Sequence, residues 1–316
     1  MNIRLQSILG FVIWLIWLFL NWPIDPFQLT YVSALILAAP LWLLPIAWQL
    51  TSVSQKLIHA CLPAATLLST AFLLEQGWVA AMLSVPWLVL TMVAAFQKWR
   101  FRKRRIFRKP ADLCHLVAYL YLPVGAIWAV ADRLGFQPMG FSPAIVLLTV
   151  AHFHYAGFML PLLSGWAVGN LQGSWLRLSA YGVALGVPLT AIGITAAQFD
   201  MPAVFELIPA TIMALSGMLT AWAHWILFRT YPQAKGRYYW LFAGTALFGG
   251  MLLALLYGWR SVFPISFLSI PWMHAIHGSL NAAGFALPAL LGWHLHLNHS
   301  PSRRKKRVVA RRMELS

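Results

Sequence analysis

Charge is scarce in this sequence, and its scarcity excludes a soluble globular protein. Asp, Glu, Lys and Arg together make up 9% of the 316 residues, whereas hydrophobic residues make up 60%. A soluble domain of this length needs far more charge to keep its water-facing surface polar. Long apolar segments recur along the whole chain, so we predict an all-α, polytopic transmembrane helix bundle.

Acidic residues are the scarcest charged type, with 7 Asp and Glu against 23 Lys and Arg, and the formal net charge is +16. Such an excess can indicate a nucleic-acid partner, but the basic residues are distributed as a membrane topology predicts, and the topology accounts for the excess. We therefore expect no nucleic-acid binding. Membrane lipids are the expected partners of this charge.

The positions of the basic residues predict the membrane topology. We predict about ten spans, at residues 6–21, 27–49, 56–74, 77–97, 112–131, 143–166, 178–198, 203–228, 238–258 and 272–296. With a cytoplasmic N-terminus, every Lys and Arg except Arg133 and Arg260 falls on the cytoplasmic side, as the positive-inside rule requires. The prediction is a membrane protein with both termini in the cytoplasm.

Two further features are missing from the sequence. The chain has only two cysteines, Cys61 and Cys114, which fall near the predicted cytoplasmic ends of their spans. Their position on the reducing side argues against a structural disulfide, and the lack of a CxxC spacing makes both cysteines weak candidates as metal ligands. No small-residue cleavage site follows the first apolar run, so we expect that run to be retained as a span.

A break in composition at the basic loop 98–110 suggests how the chain is organised. We predict a four-span N-terminal scaffold bundle at 1–97, the cytoplasmic loop 98–110, a six-span bundle at 111–298 and a basic cytoplasmic tail at 299–316. No internal repeat relates the two bundles. Ionisable residues deep inside predicted spans are confined to the second bundle, where we expect the functional site.

Two polar motifs interrupt the apolar spans of the second bundle. The first is TVAHFHYAGF at 149–158, in the middle of a span, and the second is MHAIHGSLN at 273–281. Ionisable groups at membrane depth are energetically costly and are usually functional.

The rise of a helix places these groups at similar depths. His152 lies roughly 14 Å from the outer end of its span, and His274, His277 and Asn281 lie roughly 5, 9 and 15 Å from theirs. Glu206, on a third span, lies about 6 Å deep. We therefore predict a shared His/Asn/Glu pocket in the outer half of the bilayer.

Helical angles indicate which side chains can share that pocket. At ~100° per residue, the polar residues of the second motif fall within one stripe, and His152 and Tyr155 share a face. His154 points ~160° away from His152 unless the helix is distorted. The choice between His152 and His154 as the residue that faces the pocket stays open at this point.

The chemistry of imidazole leaves two functional interpretations open. Neutral imidazoles bind transition metals and haem, and they also transfer protons near neutral pH. The candidate metal ligands are His152, His154, His274 and His277. The candidate catalytic residues, acting on a lipophilic substrate, are His152, Tyr155, Glu206 and Asn281.

Two rival interpretations use the same residues differently. The protein could be a transporter that binds its solute in the pocket while proline-bent helices rock around it. The missing repeat and the scarcity of acids at the midplane count against transport. Alternatively, the protein is a structural membrane subunit in which the polar residues form interhelical hydrogen bonds, worth about 0.6 kcal/mol each on average.

The motif HFHYAGF at 152–158, paired with HGSLNAAGF at 277–285, resembles the YndJ-like family of bacterial multi-pass membrane proteins. The likeness is strongest over about 110–300. The resemblance implies a bacterial cytoplasmic membrane protein, of a kind sometimes labelled a transporter. It implies no particular substrate, reaction or cofactor.

Overall fold

The structure, a computed structural model, describes residues 3–51, 53–101 and 109–299. Throughout these residues the secondary structure is helical, with no strand, so the predicted all-α fold is confirmed. Most of the predicted basic loop at 98–110 and nearly all of the predicted tail at 299–316 lie outside the described residues.

Ten continuous helices run through the described part of the chain. They are α1 (Ile3–Leu20), α2 (Leu29–Leu50), α3 (Gln55–Ala71), α4 (Trp78–Arg100), α5 (Pro110–Leu134), α6 (Pro143–Asn170), α7 (Trp175–Gln198), α8 (Val204–Thr230), α9 (Arg237–Gly258) and α10 (270–299). Gly135 ends α5 in the left-handed conformation, with φ of 75°. Ser142 caps α6 by accepting from the Ile145 N–H, and Pro143 occupies the first turn.

Hydropathy identifies which helices can cross a bilayer. Among the described residues, seven helices are long and apolar enough, namely α2 and α4 to α9, and α1 is a shorter apolar helix. Large apolar side chains are exposed along these helices, as expected of a lipid-facing surface. The multi-pass membrane fold is therefore confirmed, and the total of about ten spans stays a prediction.

Three helices depart from regular α geometry. The π-helical segments of the described chain are Ala39–Leu43 in α2, Phe153–Met159 in α6, and Met273–Gly278 and Leu280–Ala286 in α10. π-helix is rare and occurs frequently at functional sites. Both histidine motifs predicted from the sequence overlap these segments, although His152 is the last residue of the α-helical turn before Phe153.

A proline follows the π-helical stretch of each of these helices by two residues. Pro45 follows Leu43, Pro161 follows Met159, and Pro288 follows Ala286. A proline ring lacks an N–H and clashes with the carbonyl four residues earlier. Widening the preceding turn relieves that clash, and helix distortions commonly occur at prolines and π-bulges.

A buried chain of hydroxyl groups joins α6, α7 and α8. The Ser179 hydroxyl lies 3.0 Å from the Thr220 hydroxyl, which donates to Ser164 Oγ at 3.2 Å. At Gly182 a Cβ would lie 1.9 Å from Ser216 Oγ, so α7 and α8 approach closely there. Small residues and hydroxyls are the usual means of packing helices in a membrane.

Candidate functional site

His154 joins the π segment of α6 to α4 through a hydrogen bond. The Trp87 indole donates to His154 Nε2 at 3.1 Å, so His154 Nδ1 carries the proton and donates to the Val150 carbonyl at 2.8 Å. The imidazole is fully buried. A Cβ on Gly125 would lie 2.9 Å from His154 Nδ1, so glycine makes room for the ring. Both ring nitrogens are used, and neither is available as a metal ligand.

Tyr155 joins the same π segment to α2 through a second hydrogen bond. Its hydroxyl donates to the Leu35 carbonyl at 2.7 Å. That carbonyl lies one turn before the π segment of α2, where Pro40 has no N–H and the Ala39 N–H bonds to the Ile36 carbonyl. The irregular turn of α2 is therefore where the tyrosine of the first motif binds.

His277 and Asn281 form one unit on α10. The Asn281 amide donates to His277 Nε2 at 3.0 Å and to the His277 carbonyl at 2.9 Å. His277 Nδ1 then carries the proton and donates to the Gly250 carbonyl of α9 at 2.8 Å. A Cβ on Gly250 would lie 3.3 Å from Asn281 Oδ1, so the helices pack closely at this glycine. As in His154, both imidazole nitrogens are used.

His152 and His274 differ from these two histidines. The Nε2 atom of His152 is buried and has no hydrogen-bond partner among the described residues, and its ring is within electrostatic reach of His277. His274 has a buried, unpartnered Nδ1 and interacts with Pro26 and Asp25 in the loop between α1 and α2. A buried polar atom without a partner is exceptional and requires an explanation.

Glu206 forms an ion pair away from the two histidine motifs. Its carboxylate accepts a hydrogen bond from Arg260 at 2.7 Å, and the Arg260 guanidinium lies 4.1 Å from the centre of the Tyr257 ring. The structure thus brings His152 near the His277–Asn281 unit and joins Tyr155 to α2, but it places Glu206 in an ion pair between α8 and the segment after α9.

A cavity of about 430 Å³ lies between α1, α2, α6 and α10. Its walls are apolar and aromatic, and the π segments of all three distorted helices contribute to them. The lining residues are Phe11, Trp14, Leu18, Trp22, Ile24, Tyr31, Ala34, Leu35, Ala38, Trp42, Leu43, Tyr155, Ala282, Ala283 and Leu287. The volume is typical of a small-molecule site.

The interpretation of residues 1–97 as scaffold does not anticipate this cavity, because α1 and α2 supply most of its wall. One side is a cluster of rings in which Phe11, Trp14 and Trp42 lie with centroids 5.4 to 5.9 Å apart. One feature of the sequence could have indicated α2, namely the pair of prolines, Pro40 and Pro45. No feature of α1 distinguishes it from other lipid-facing spans.

The metal interpretation gains no support from the geometry. Within residues 3–51, 53–101 and 109–299, no three His, Cys, Asp or Glu side chains are grouped so that they could hold a metal ion. His154 or His277 would have to give up a hydrogen bond to bind one.

Together these features define a multi-pass α-helical membrane protein whose two histidine motifs overlap π-helical segments beside an apolar cavity. The family model described as YndJ-like protein matches residues 31–285, so the chain belongs to the YndJ-like family. The resemblance of the two motifs to that family is confirmed.

A curated relative is the "Uncharacterized membrane protein YndJ" of Bacillus subtilis (strain 168), which is 28% identical over 242 residues. The alignment covers 74% of this chain and 42% of the relative, so the chain spans less than half the length of that protein. No solved structure matches the chain.

Proposed function

We propose that this protein binds a lipophilic molecule in the cavity between α1, α2, α6 and α10. The observation that carries the proposal is that all π segments of the described chain lie in the three helices α2, α6 and α10, and that each of the three contributes π-segment residues to the wall, such as Leu43, Tyr155 and Ala283. Maintaining irregular helix at membrane depth is costly unless it serves a site. An apolar wall facing the bilayer interior suits a molecule that partitions into lipid.

In this proposal His152 is the acid–base group, and it lies close in sequence to the cavity wall without being part of the lining. Its Nε2 is buried without a partner, and it lies three residues before Tyr155, which lines the cavity. His277 and Asn281, each held in one orientation, are positioning residues on the facing helix. Metal or haem binding is the other chemistry that the motifs allow, and elemental analysis of the purified protein tests it.

Transport is a second candidate function, and the π segments favour it. A π segment can change its hydrogen-bond register, and the discontinuous helices of transporters line their substrate sites. The hydrogen bonds of Tyr155 to Leu35 and of Tyr31 to Ser279 join the three π-containing helices, and they would have to be exchanged in such a motion.

We also propose that the protein lies in a bacterial cytoplasmic membrane with both termini on the cytoplasmic side and about ten spans. The charge distribution supports this orientation. Its two exceptions, Arg133 and Arg260, each have a carboxylate partner, since Arg133 pairs with Asp132 at 2.6 Å and Arg260 pairs with Glu206 at 2.7 Å.

Obstruction of the cavity tests the proposed function. Ala283 lines the cavity and is itself exposed, so Ala283→Trp adds an indole to the cavity without displacing buried side chains. We expect organic extracts of purified wild-type protein to contain an enriched lipophilic compound, detected by mass spectrometry, that falls at least several-fold in Ala283→Trp. The control is Ala60→Trp on α3, which is equally exposed and does not line the cavity.

If wild type, Ala283→Trp and Ala60→Trp carry the same extractable compounds in the same amounts, the cavity holds no selected molecule. That result would contradict the proposed function. An enriched compound that falls equally in both variants would also contradict it, because binding would then not depend on the cavity.

A further inference from the structure

The cavity is elongated along the helix axes. Its lining runs on α1 from Phe11 to Leu18 and continues into the following loop at Trp22, and on α2 it runs from Tyr31 to Leu43. At ~1.5 Å of rise per residue, the lining of α2 extends over about 18 Å. The cavity is therefore a slot about as long as one leaflet of the hydrocarbon core is deep, which is roughly 15 Å.

The two ends of this slot differ. One end, the mouth, lies at Trp22 and Ile24 in the loop between α1 and α2, and the Trp22 side chain is 76% exposed. The other end, the floor, lies at Phe11, Trp42 and Leu43. There the Phe11 and Trp42 rings meet edge to face with centroids 5.4 Å apart, and Leu43 is buried. The slot therefore opens at the loop and ends against packed side chains inside the bundle.

One side of the slot faces lipid. Helix α1 packs against α2 and α3, α10 packs against α2 and α9, and the cavity lies between α1 and α10. Phe11 on α1 and Ala283 on α10 both line the cavity, and both are exposed. A molecule in the bilayer can therefore enter between these two helices without passing through water.

The lining holds no group that would compensate a charge. None of its side chains is acidic, basic or an imidazole, and the unpartnered Nε1 atom of Trp42 is itself buried and so does not face the space inside the slot. A charged or zwitterionic headgroup in the slot would lose its hydration, whereas at the mouth it stays in water. A hydrocarbon chain keeps an apolar environment when it moves in from the bilayer, and it supplies contacts that the walls of an empty slot would lack.

We propose that the slot holds one acyl chain of a membrane phospholipid, with the headgroup at the mouth beside Trp22 and the chain end at the floor. An extended chain advances roughly 1.3 Å per carbon, given a C–C bond of about 1.5 Å, so the slot takes about thirteen carbons. The second chain stays in the bilayer, which the opening between α1 and α10 permits. Phospholipids surround the cavity at high concentration, so mass action favours them over rarer lipophiles. This inference rests on the proposed function and names the class of ligand for the same cavity.

Photocrosslinking from two depths tests this placement. The full chain is reconstituted in phosphatidylcholine vesicles that contain phosphatidylcholine with a diazirine either near the end of one acyl chain or next to its ester, and labelled peptides are mapped by mass spectrometry. We expect the chain-end diazirine to label residues 36–43 of α2, of which all but Trp42 are buried, several-fold more than the ester-proximal diazirine does. The ester-proximal diazirine should instead label the mouth, at Trp22 and Ile24.

Variants and an internal reference show whether the label arrives through the slot. Ala283→Trp should lower chain-end labelling of residues 36–43 several-fold, because the indole occupies the slot. Ala60→Trp should be labelled as wild type is. Val89 on α4 is 52% exposed and lies outside the cavity, so its labelling should be equal in all three proteins and report intact reconstitution. A free fatty acid that carries the same chain-end diazirine is compared in parallel to identify the source of the chain.

The outcomes separate this inference from the function on which it rests. Labelling of residues 36–43 by the fatty acid alone, by neither phospholipid, or equally from both depths would overturn the phospholipid assignment. Chain-end labelling that Ala283→Trp leaves unchanged would overturn it too. In each of these cases the proposed function stands if a co-purifying compound still falls in Ala283→Trp, and it is overturned as well if no such compound does.

Discussion

At the scale of single residues, His154 and His277 share one hydrogen-bonding pattern. In each, Nδ1 donates to a backbone carbonyl, and Nε2 accepts from a side-chain N–H, of Trp87 or Asn281. The pattern fixes one neutral tautomer and joins α6 to α4 and α10 to α9. His152, two residues from His154, is the member of the first motif whose Nε2 has no partner among the described residues.

This difference predicts opposite effects of the same substitution. His154→Leu leaves the buried Trp87 N–H without its acceptor, and we expect a loss of about 1–3 kcal/mol in stability. His152→Leu removes a buried nitrogen that has no partner, so we expect stability within about 1 kcal/mol of wild type, or higher. Leucine has a volume close to that of histidine, so each variant is the packing control for the other.

Thermal unfolding of the two variants in the same detergent makes the comparison. A His152→Leu variant as unstable as His154→Leu would show that His152 is a packing residue and would remove it from the proposed site. A stable His152→Leu variant that has lost function would identify it as a residue retained for chemistry at the expense of stability.

Part of this arrangement was accessible from the sequence, and part was not. The two motifs, their depth in the bundle and the pairing of His277 with Asn281 on one face follow from helical periodicity. The angular argument for His154 assumed ~100° per residue, and a π turn does not obey that spacing. The partners Trp87, Leu35 and Gly250 lie on other helices, and nothing in a single sequence specifies such contacts.

At the scale of helices, the π segments follow from local and tertiary causes together. Prolines two residues beyond the segments explain why α2, α6 and α10 are wide there. A proline is not sufficient, because α3, α4, α5, α7 and α8 contain internal prolines and have no π segment among the described residues. The contacts of Tyr155 with α2 and of His277 with α9 supply the additional constraint.

Removing one proline tests whether the π segment serves the cavity. In Pro161→Ala the new N–H can bond to the carbonyl of Gly157 and let α6 return to α geometry, which turns Tyr155 away from Leu35. We expect stability to change little, because the gain in helix propensity from alanine, up to ~3 kcal/mol, is offset by the loss of the Tyr155 hydrogen bond. The amount of lipophilic compound that co-purifies with the protein should fall several-fold.

Pro86→Ala is the matched control for this variant, since Pro86 lies inside α4, where no π segment occurs. This control variant should retain the wild-type amount of the co-purifying lipophilic compound. Full binding by Pro161→Ala would mean that the π segment of α6 is incidental to the cavity. A large loss of stability in Pro161→Ala would instead indicate that the π segment exists for packing.

At the scale of the whole molecule, the ion pairs bear on orientation in the membrane. Arg133 and Arg260 are the two basic residues that the predicted topology places outside, and each has a carboxylate partner and lies over an aromatic ring. The positive-inside rule counts Lys and Arg and gives Asp and Glu little weight, so both arginines remain exceptions to the bias. Their pairing lowers the cost of holding them near the membrane boundary, and Glu206 is the partner of Arg260.

Reporter fusions can test this orientation. Fused after the last residue of the chain, green fluorescent protein should fluoresce and alkaline phosphatase should be inactive, because both termini are expected in the cytoplasm. The reverse is expected for fusions truncated within 135–142, between α5 and α6, which the ten-span topology places outside. An active phosphatase at the C-terminus would contradict an even number of spans with a cytoplasmic N-terminus. An active phosphatase at the C-terminus together with an inactive one within 135–142 would mean that the whole bundle is inverted. The cavity, which lies beside the outer halves of α6 and α10 in the proposed orientation, would then receive its ligand from the cytoplasmic leaflet.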